Sequence, residues 1–171
     1  ARMLSNSMAK TIVALAIGKA LEAGLIRSLE DTAETYEPRL AGTVYGQTRI
    51  VNLLRMASGA RFVEDYSGND DLARFNQTAR KQGIVAAAKV ITERVAPQGT
   101  LFNYASAETQ MLGLVLRAAT GQTLCRYVSD NLWKPMGAEA RATWLTFPND
   151  TIEMASGNFK RRCAGILRTS A

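Results

Sequence analysis

A serine and a lysine stand three residues apart near the start of the chain, in the segment SMAKT at residues 7–11. Positions i and i+3 are neighbours on one face of a helix, so the amine of Lys10 can approach the hydroxyl of Ser7. The unpaired N–H groups at a helix N-terminus add positive potential, which favours a developing alkoxide or oxyanion. The pair therefore has the composition of a nucleophile with its activating group.

The same tetrapeptide also fits a purely structural arrangement. Ser7 is a favourable helix N-cap residue, and Lys10 would then be a solvated side chain of the first turn. The spacing S-x-x-K arises by chance in many chains. On these four residues alone the structural interpretation is favoured, and the decision depends on the rest of the sequence.

The absence of one residue type narrows the chemistry further. The chain has no histidine and two cysteines, which excludes Ser-His-Asp triads and histidine-based metal sites and allows at most one disulfide. A general base must then be Lys, Tyr or a carboxylate, and no metal or cofactor is implied. We expect Cys125, Trp133 and Trp144 to fill the core rather than to bind a ligand.

The net charge of +6 is concentrated in one segment of the sequence. Four basic residues and no acidic ones follow position 159, which leaves +2 for residues 1–159. Because no basic surface interleaved with aromatic residues is evident, we expect no nucleic-acid partner. No apolar run reaches the ~18 residues of a membrane span, so we expect no membrane partner either.

Apolar spacing and the positions of Gly and Pro predict a mainly helical chain. The first helix should cover residues 7–23, be mostly buried through residues such as Leu15, and end at Gly24. Residues 96–106 should be irregular, and RATWLTF at 141–147 is the best candidate for a strand. Four further helices are predicted: 49–59, 72–94 with a possible break at Gly83, 107–121, and 123–137.

Three segments that follow one another in the sequence favour the catalytic interpretation of Ser7 and Lys10 over the structural one. They are SMAKT with its apolar helix, RIVNLLRMASGARFVEDY, and a long segment that begins PQGTLFNYASAETQML. Over residues 4–157 the chain resembles the serine β-lactamase and penicillin-binding-protein superfamily. Within that superfamily it is most similar to the class C-like esterases and the nylon-oligomer (6-aminohexanoate-dimer) hydrolases.

The resemblance implies a fold as well as a chemistry. We expect a mainly α fragment of the α+β β-lactamase/transpeptidase-like fold, with most of the parent sheet missing. Residues 1–159 would form the helical portion of the domain, incomplete at both ends, and residues 160–171 an atypical basic tail. The third motif of the superfamily, K-T-G or an equivalent on a strand, does not occur in the sequence.

The resemblance also implies site residues. The acylated serine and its activating lysine in S-x-x-K match Ser7 and Lys10, and the acid/base tyrosine of Y-x-N or Y-x-S matches Tyr104. Ser106 stands where penicillin-recognising members carry Asn, which favours ester or amide hydrolysis over β-lactam hydrolysis. Tyr66 corresponds to a substrate-contacting tyrosine of the nylon-oligomer hydrolases, or is an aromatic residue packed on a surface loop.

The expected function is hydrolysis of a small-molecule ester or amide through an acyl-enzyme on Ser7. A phenol titrates near ~10, so Tyr104 needs a cation beside it to act as a base, and Lys10 is the natural source. The alternatives are a catalytically silent helical fragment of such an enzyme and a penicillin-recognising member. The sequence is compatible with a bacterial-type enzyme of the cytoplasm or the periplasm, and it predicts no oligomeric state.

Overall fold

Helices dominate the computed structural model of the chain, which describes residues 5–138 and 142–160. This part contains seven α-helices: α1 (Ala9–Glu22), α2 (Ala33–Tyr36), α3 (Ile50–Leu54), α4 (Asp71–Gln82), α5 (Ile84–Lys89), α6 (Ser106–Thr120) and α7 (Leu124–Val128). It also contains 3₁₀ turns at Asn6–Met8 and Pro38–Leu40, a π turn at Ser129–Trp133, and strands β1 (Thr143–Trp144) and β2 (Phe159–Lys160). The predicted mainly helical fold with little strand is confirmed.

The core is organised around α6, whose residues from Ser106 to Leu116 are all buried. Helix α1 packs against α6 and buries a stripe in which apolar residues recur every three or four positions, as in an amphipathic helix. The buried residues of α1 are Ala9, Val13, Ala16, Ile17 and Ala20. Three of these five are alanines, whose small side chains allow the two helices to lie close together. This packing holds the beginning of α1 next to the beginning of α6.

The predicted packing of α1 is wrong in one respect. Leu15 was expected in the core, but 57% of its surface is exposed. The buried stripe runs through Val13, Ile17 and Ala20, and Leu15 lies two residues from the first two of these, on the opposite side of the helix. Met8 is also exposed, at 71%. The outer side of α1 and of the turn before it is therefore partly apolar.

Two of the predicted helix boundaries lie at glycines, as expected, and two of the predicted helices end earlier than expected. Gly83, with φ +89°, separates α4 from α5, and Gly121, with φ +65°, ends α6 in the left-handed conformation. The predicted helix 49–59 is shorter than expected, because α3 ends at Leu54 and the chain turns at Met56, where φ is +54°. The predicted helix 123–137 is divided between α7 and the π turn.

The last described segment forms a small antiparallel pair of strands. Trp144 of β1 lies opposite Phe159 of β2, and the indole packs edge-on against the Phe159 ring at 4.8 Å. The Trp133 ring also packs edge-on against the Phe159 ring, with 5.4 Å between the ring centres. The predicted strand 141–147 thus contains β1, although its first residue, Arg141, lies outside the described residues. Of the predicted basic tail, residues 160–171, all but Lys160 lie outside them as well.

Two of the residues expected in the core are buried there, namely Cys125 and Trp144. Trp133 packs against the same core and is partly buried. Every helix among the described residues is too short or too polar to cross a lipid bilayer.

Candidate active site

The side chains of Lys10 and Tyr104 both contact the hydroxyl of Ser7, where the start of α1 lies next to the start of α6. The Lys10 ammonium donates a hydrogen bond to Ser7 Oγ at 2.9 Å. The Tyr104 hydroxyl donates to the same oxygen at 2.8 Å, although 97 residues separate it from Ser7. Lys10 Nζ also lies 5.0 Å from the centre of the Tyr104 ring. All three residues named from the sequence as nucleophile and proton carriers are therefore in mutual contact.

Ser7 belongs to the 3₁₀ turn Asn6–Met8 that leads into α1, and not to α1 itself. The turn is held by a bond from the Met8 N–H to the Ser5 carbonyl, and the Ser5 N–H bonds to the Phe159 carbonyl of β2. Asn6 has φ +42°, in the left-handed region that non-glycine residues rarely adopt. Ser7 thus sits on a strained, well-anchored turn, with its side chain exposed.

Lys10 is partly buried and has a second partner besides Ser7. Its ammonium donates to the backbone carbonyl of Ser156 at 2.9 Å. This bond ties the first turn of α1 to the loop that precedes β2. Two acceptors therefore fix the amine at the serine, which is the arrangement that a buried or half-buried ammonium requires.

Tyr104 lies in the segment before α6, where residues 101–105 form neither helix nor strand, in agreement with the irregular segment predicted there. The Asn103 N–H bonds to the Met56 carbonyl at 2.8 Å, and the Asn103 side-chain amide donates to the Phe62 carbonyl at 2.9 Å. Ala105, on the other side of Tyr104, is fully buried with φ −143°. These contacts on both neighbours leave the phenol of Tyr104 pointing at Ser7.

A second cluster joins Tyr66 and Ser106 through a residue that the sequence analysis did not single out. Glu64 Oε1 accepts hydrogen bonds from the Ser106 hydroxyl at 2.7 Å and from the Tyr66 hydroxyl at 3.0 Å. Glu64 Oε2 accepts the Ser106 N–H at 2.6 Å, at the first residue of α6. Desolvation and the hydrogen bond to Glu64 raise the pKa of Tyr66 to about 12.

The loop that carries Tyr66 is held in an unusual conformation. Tyr66 has φ +62°, which costs an aromatic residue on the order of 1–3 kcal/mol. Asp70 Oδ2 compensates by accepting the N–H groups of Asp65 at 3.0 Å and Tyr66 at 2.7 Å. Asp70 Oδ1 meanwhile caps α4 by accepting the Ala73 N–H at 2.8 Å. The start of α4 therefore fixes the position of Tyr66.

Ser7 from the first cluster and all three residues of the second cluster line one open cavity of about 430 Å³. Its lining includes Asn6, Ser7, Glu64, Tyr66, Ser106 and Asn158. Asn6, Tyr66 and Asn158 all have positive φ, so backbone strain among the described residues concentrates at this cavity. Within residues 5–138 and 142–160 no three Asp, Glu or Cys side chains converge to form a group that could hold a metal ion.

The loop between β1 and β2 forms one wall of the cavity, and hydrogen bonds to the protein core hold it in place. Glu153 Oε1 accepts the Cys125 N–H at 3.0 Å, and Glu153 Oε2 lies 3.3 Å from Arg117 Nη1. The Trp144 indole N–H is shared between the carbonyls of Met154 at 2.9 Å and Gly157 at 3.0 Å. These contacts hold the Ser156 carbonyl in reach of Lys10.

The five site residues predicted from the sequence lie in two adjacent groups. Ser7, Lys10 and Tyr104 form one group, while Tyr66 and Ser106 meet at Glu64. The segment E-D-Y contains Glu64, and an acidic residue so close to a candidate binding tyrosine was the available signal for it. The contribution of Ser156 is a backbone carbonyl, for which the residue type carries no signal.

Comparisons with known proteins identify the family and the fold of the chain. A family model described as Beta-lactamase matches residues 1–157. The 6-aminohexanoate-dimer hydrolase of Paenarthrobacter ureafaciens is 27% identical over 174 residues, which cover 98% of this chain and 44% of that protein. The chain therefore spans less than half the length of this curated relative.

Solved structures share the fold at lower sequence identity. One, from Bacillus anthracis and provisionally described as a 6-aminohexanoate-dimer hydrolase, matches 94% of this chain and 44% of its own, with a TM-score of 0.80 and 24% identity. A D-stereospecific amidohydrolase from Streptomyces matches with a TM-score of 0.69 and 19% identity, over 94% of this chain and 57% of its own. At these identities the match concerns the fold alone.

Proposed function

The chain belongs to the β-lactamase family, and we propose that it carries the nucleophilic centre of a serine hydrolase that cleaves small esters or amides through an acyl-enzyme on Ser7. The contact of Ser7 Oγ with both Lys10 Nζ at 2.9 Å and Tyr104 Oη at 2.8 Å is the observation that carries this proposal. A serine used only as a helix cap needs neither partner, and here the Ser7 side chain caps nothing.

The proposed reaction proceeds in two balanced halves. Ser7 Oγ attacks the carbonyl carbon of the substrate, and its proton passes to Lys10 or Tyr104, whichever is deprotonated. That proton then goes to the departing alkoxide or amine as the carbon–oxygen or carbon–nitrogen bond breaks. Water attacks the acyl-enzyme, gives its proton to the same pair, and the carboxylic acid leaves as Ser7 recovers its hydrogen.

The proposed substrate class follows from the resemblance and from the chemistry of Ser106. A serine at this position favours linear esters and amides over β-lactams, and the curated relative is a hydrolase of an amide, the 6-aminohexanoate dimer. The cavity of about 430 Å³ is within the size range of small-molecule sites. We therefore propose acyl chains of a few carbons as the preferred substrates.

A fluorophosphonate probe tests this proposal, because such probes label serines only where the hydroxyl is activated. We expect covalent labelling of the chain, loss of labelling in Ser7→Ala, and full labelling in the matched control Ser5→Ala, whose hydroxyl has no contact with Lys10 or Tyr104. A wild-type chain that stays unlabelled while folded would support the alternative, a catalytically silent member of the family.

A further inference from the structure

One wall of the cavity is formed by the Glu64 carboxylate and by the Tyr66 and Ser106 hydroxyls that donate to it. The hydroxyls of Tyr66 and Ser106 both donate to Glu64 Oε1, at 3.0 Å and 2.7 Å. Each hydroxyl has one hydrogen and two lone pairs, and an ionised carboxylate has lone pairs only. Since both hydrogens are used on Glu64, the oxygens of all three side chains have only acceptor capacity left for a ligand.

The lining is negatively charged, which favours a cationic ligand as the excess of acceptors does. Glu64 is the one ionisable acid, and no lysine or arginine stands among the described residues that line the cavity. The Lys10 ammonium is occupied by Ser7 Oγ and the Ser156 carbonyl, each at 2.9 Å. A cationic donor approaching Glu64, Tyr66 and Ser106 thus gains charge-assisted hydrogen bonds, whereas a carboxylate meets like charge there, because both hydroxyl hydrogens are already donated to Glu64.

The wall also has the rigidity of a binding site. The Tyr66 backbone is fixed by Asp70 at 2.7 Å, and the Ser106 N–H is fixed by Glu64 Oε2 at 2.6 Å. Ser106 is 7% exposed, while Tyr66 is 69% exposed, so the oxygens span the wall from its buried end to its open end. The raised pKa of Tyr66, about 12, keeps its hydrogen on the phenol at neutral pH.

From these contacts we propose that Glu64, with the hydroxyl oxygens of Tyr66 and Ser106, forms a subsite for a protonated amine carried by the substrate. The inference rests on the proposed hydrolase function for the role of the ligand as a substrate. Binding at the subsite does not require Ser7 to react, so the two proposals can be tested separately.

The test is an NMR titration of the folded chain with three probes of equal length: n-hexylammonium, 1-hexanol and hexanoate. We expect n-hexylammonium to bind about tenfold more tightly than 1-hexanol, the value of one charge-assisted hydrogen bond, and hexanoate to bind most weakly. In Glu64→Gln the preference for the cation over the alcohol should fall to within about twofold. Glu93→Gln is the matched control, because Glu93 is an exposed carboxylate outside the cavity.

Equal affinity for the ammonium and the alcohol in the wild-type chain, or stronger binding of hexanoate, would overturn the inference without any variant. An unchanged cation preference in Glu64→Gln would overturn it as well. Tyr66→Phe provides a second variant if Glu64→Gln fails to fold: loss of one acceptor should reduce the preference for the cation about threefold. Labelling of Ser7 without cation preference would refute the subsite and leave the hydrolase proposal standing.

Discussion

Ser7 differs from an ordinary surface serine in the number and type of its partners. It is exposed, yet its oxygen accepts hydrogen bonds from an ammonium and from a phenol at 2.9 Å and 2.8 Å. Lys10 can hold this position because the Ser156 carbonyl satisfies it from the other side. Two groups beside Ser7, the Lys10 amine and the Tyr104 phenol, can therefore each carry the proton of its hydroxyl.

Replacement of Lys10 tests the first of these groups. Lys10→Met keeps the length of the side chain and removes the amine, so we expect the rate of fluorophosphonate labelling to fall by about 10²–10⁴. Lys19→Met is the matched control on the same helix, since Lys19 pairs with Glu22 and does not contact the site. Equal labelling rates in wild-type chain and Lys10→Met would show that the amine is not required.

Replacement of Tyr104 tests the second group. Tyr104→Phe removes one hydroxyl and leaves the ring, so we expect loss of ester turnover by at least about 10² with little change in the free energy of unfolding. Tyr45→Phe is the control for removal of a phenol hydroxyl from elsewhere in the core. Unchanged turnover in Tyr104→Phe would contradict the assigned role.

Tyr45→Phe also has a predicted effect of its own. The Tyr45 hydroxyl is fully buried, and among the described residues it finds no hydrogen-bond partner. Removal of an unsatisfied buried hydroxyl should raise the free energy of unfolding by about 1 kcal/mol, because the ring still fills its place. Chemical denaturation measures this change. A loss of stability instead would show that the hydroxyl has a bound partner.

At the scale of elements, the site depends on how closely the loop before β2 approaches α6. A Cβ atom at Gly113 of α6 would lie 2.6 Å from the Cβ of Ala155, a distance that real side chains do not reach. Ala155 directly precedes Ser156, whose carbonyl binds Lys10. The glycine therefore allows the contact that holds the amine at Ser7.

The substitution Gly113→Ala tests this coupling between packing and chemistry. We expect the free energy of unfolding to fall by about 1–3 kcal/mol from overpacking, and the labelling rate of Ser7 to fall with it. Gly18→Ala is the matched control in α1, where an added Cβ meets nothing within 4 Å. That control should gain about 0.5–1 kcal/mol, the ordinary advantage of alanine in a helix. Equal stability of the two variants would contradict the close packing of α6 on the loop.

The sequence predicted those features that depend on residues close together in the chain. Gly83 and Gly121 mark real helix ends because their backbone angles need glycine, and the contact between Ser7 and Lys10 follows from their spacing near the helix start. The burial of Leu15 was predicted wrongly, since helical spacing alone does not say which side of α1 meets α6. Tyr104 was identified through the family resemblance, because no local pattern links residues 97 positions apart.

Glu64 and Ser156 show the limit of such prediction within the site. A carboxylate that joins Tyr66 to Ser106 is recognised only once the loop and the start of α6 are placed side by side. The backbone carbonyl of Ser156 is common to every residue type, so its role depends wholly on where Glu153 and Trp144 anchor the loop.

At the scale of the whole molecule, a buried acid under the site links stability to pH. Glu108 is 1% exposed, and its burial raises the pKa of its carboxyl from 4.5 to about 7, although the Ser58 hydroxyl and the charge of Arg94 lower it in part. Ser58 donates to Glu108 Oε1 at 2.6 Å, while Oε2 has no partner among the described residues. Folding therefore favours the protonated form of Glu108 over the ionised form.

The sign of the pH effect follows from proton binding in the two states. Between pH 4.5 and 7 the folded chain keeps a proton on Glu108 that the unfolded chain has released. The free energy of unfolding should then decrease as pH rises through this window, by ~3 kcal/mol relative to Glu108→Gln, which does not titrate. Denaturation of both chains at several pH values cancels the contributions of all other groups. A constant difference between the two chains across the window would refute the raised pKa.

The proposed function depends on acylation of Ser7 during turnover. The direct measurement is peptide mass spectrometry of the chain after acid quenching during reaction with a short-chain nitrophenyl ester. We expect the mass of one acyl group on the peptide that contains Ser7, no acyl group on that peptide in Ser7→Ala, and slower appearance of the adduct in Lys10→Met. Hydrolysis of the ester without any adduct on Ser7, or an adduct on another residue that persists in Ser7→Ala, would contradict acylation of Ser7.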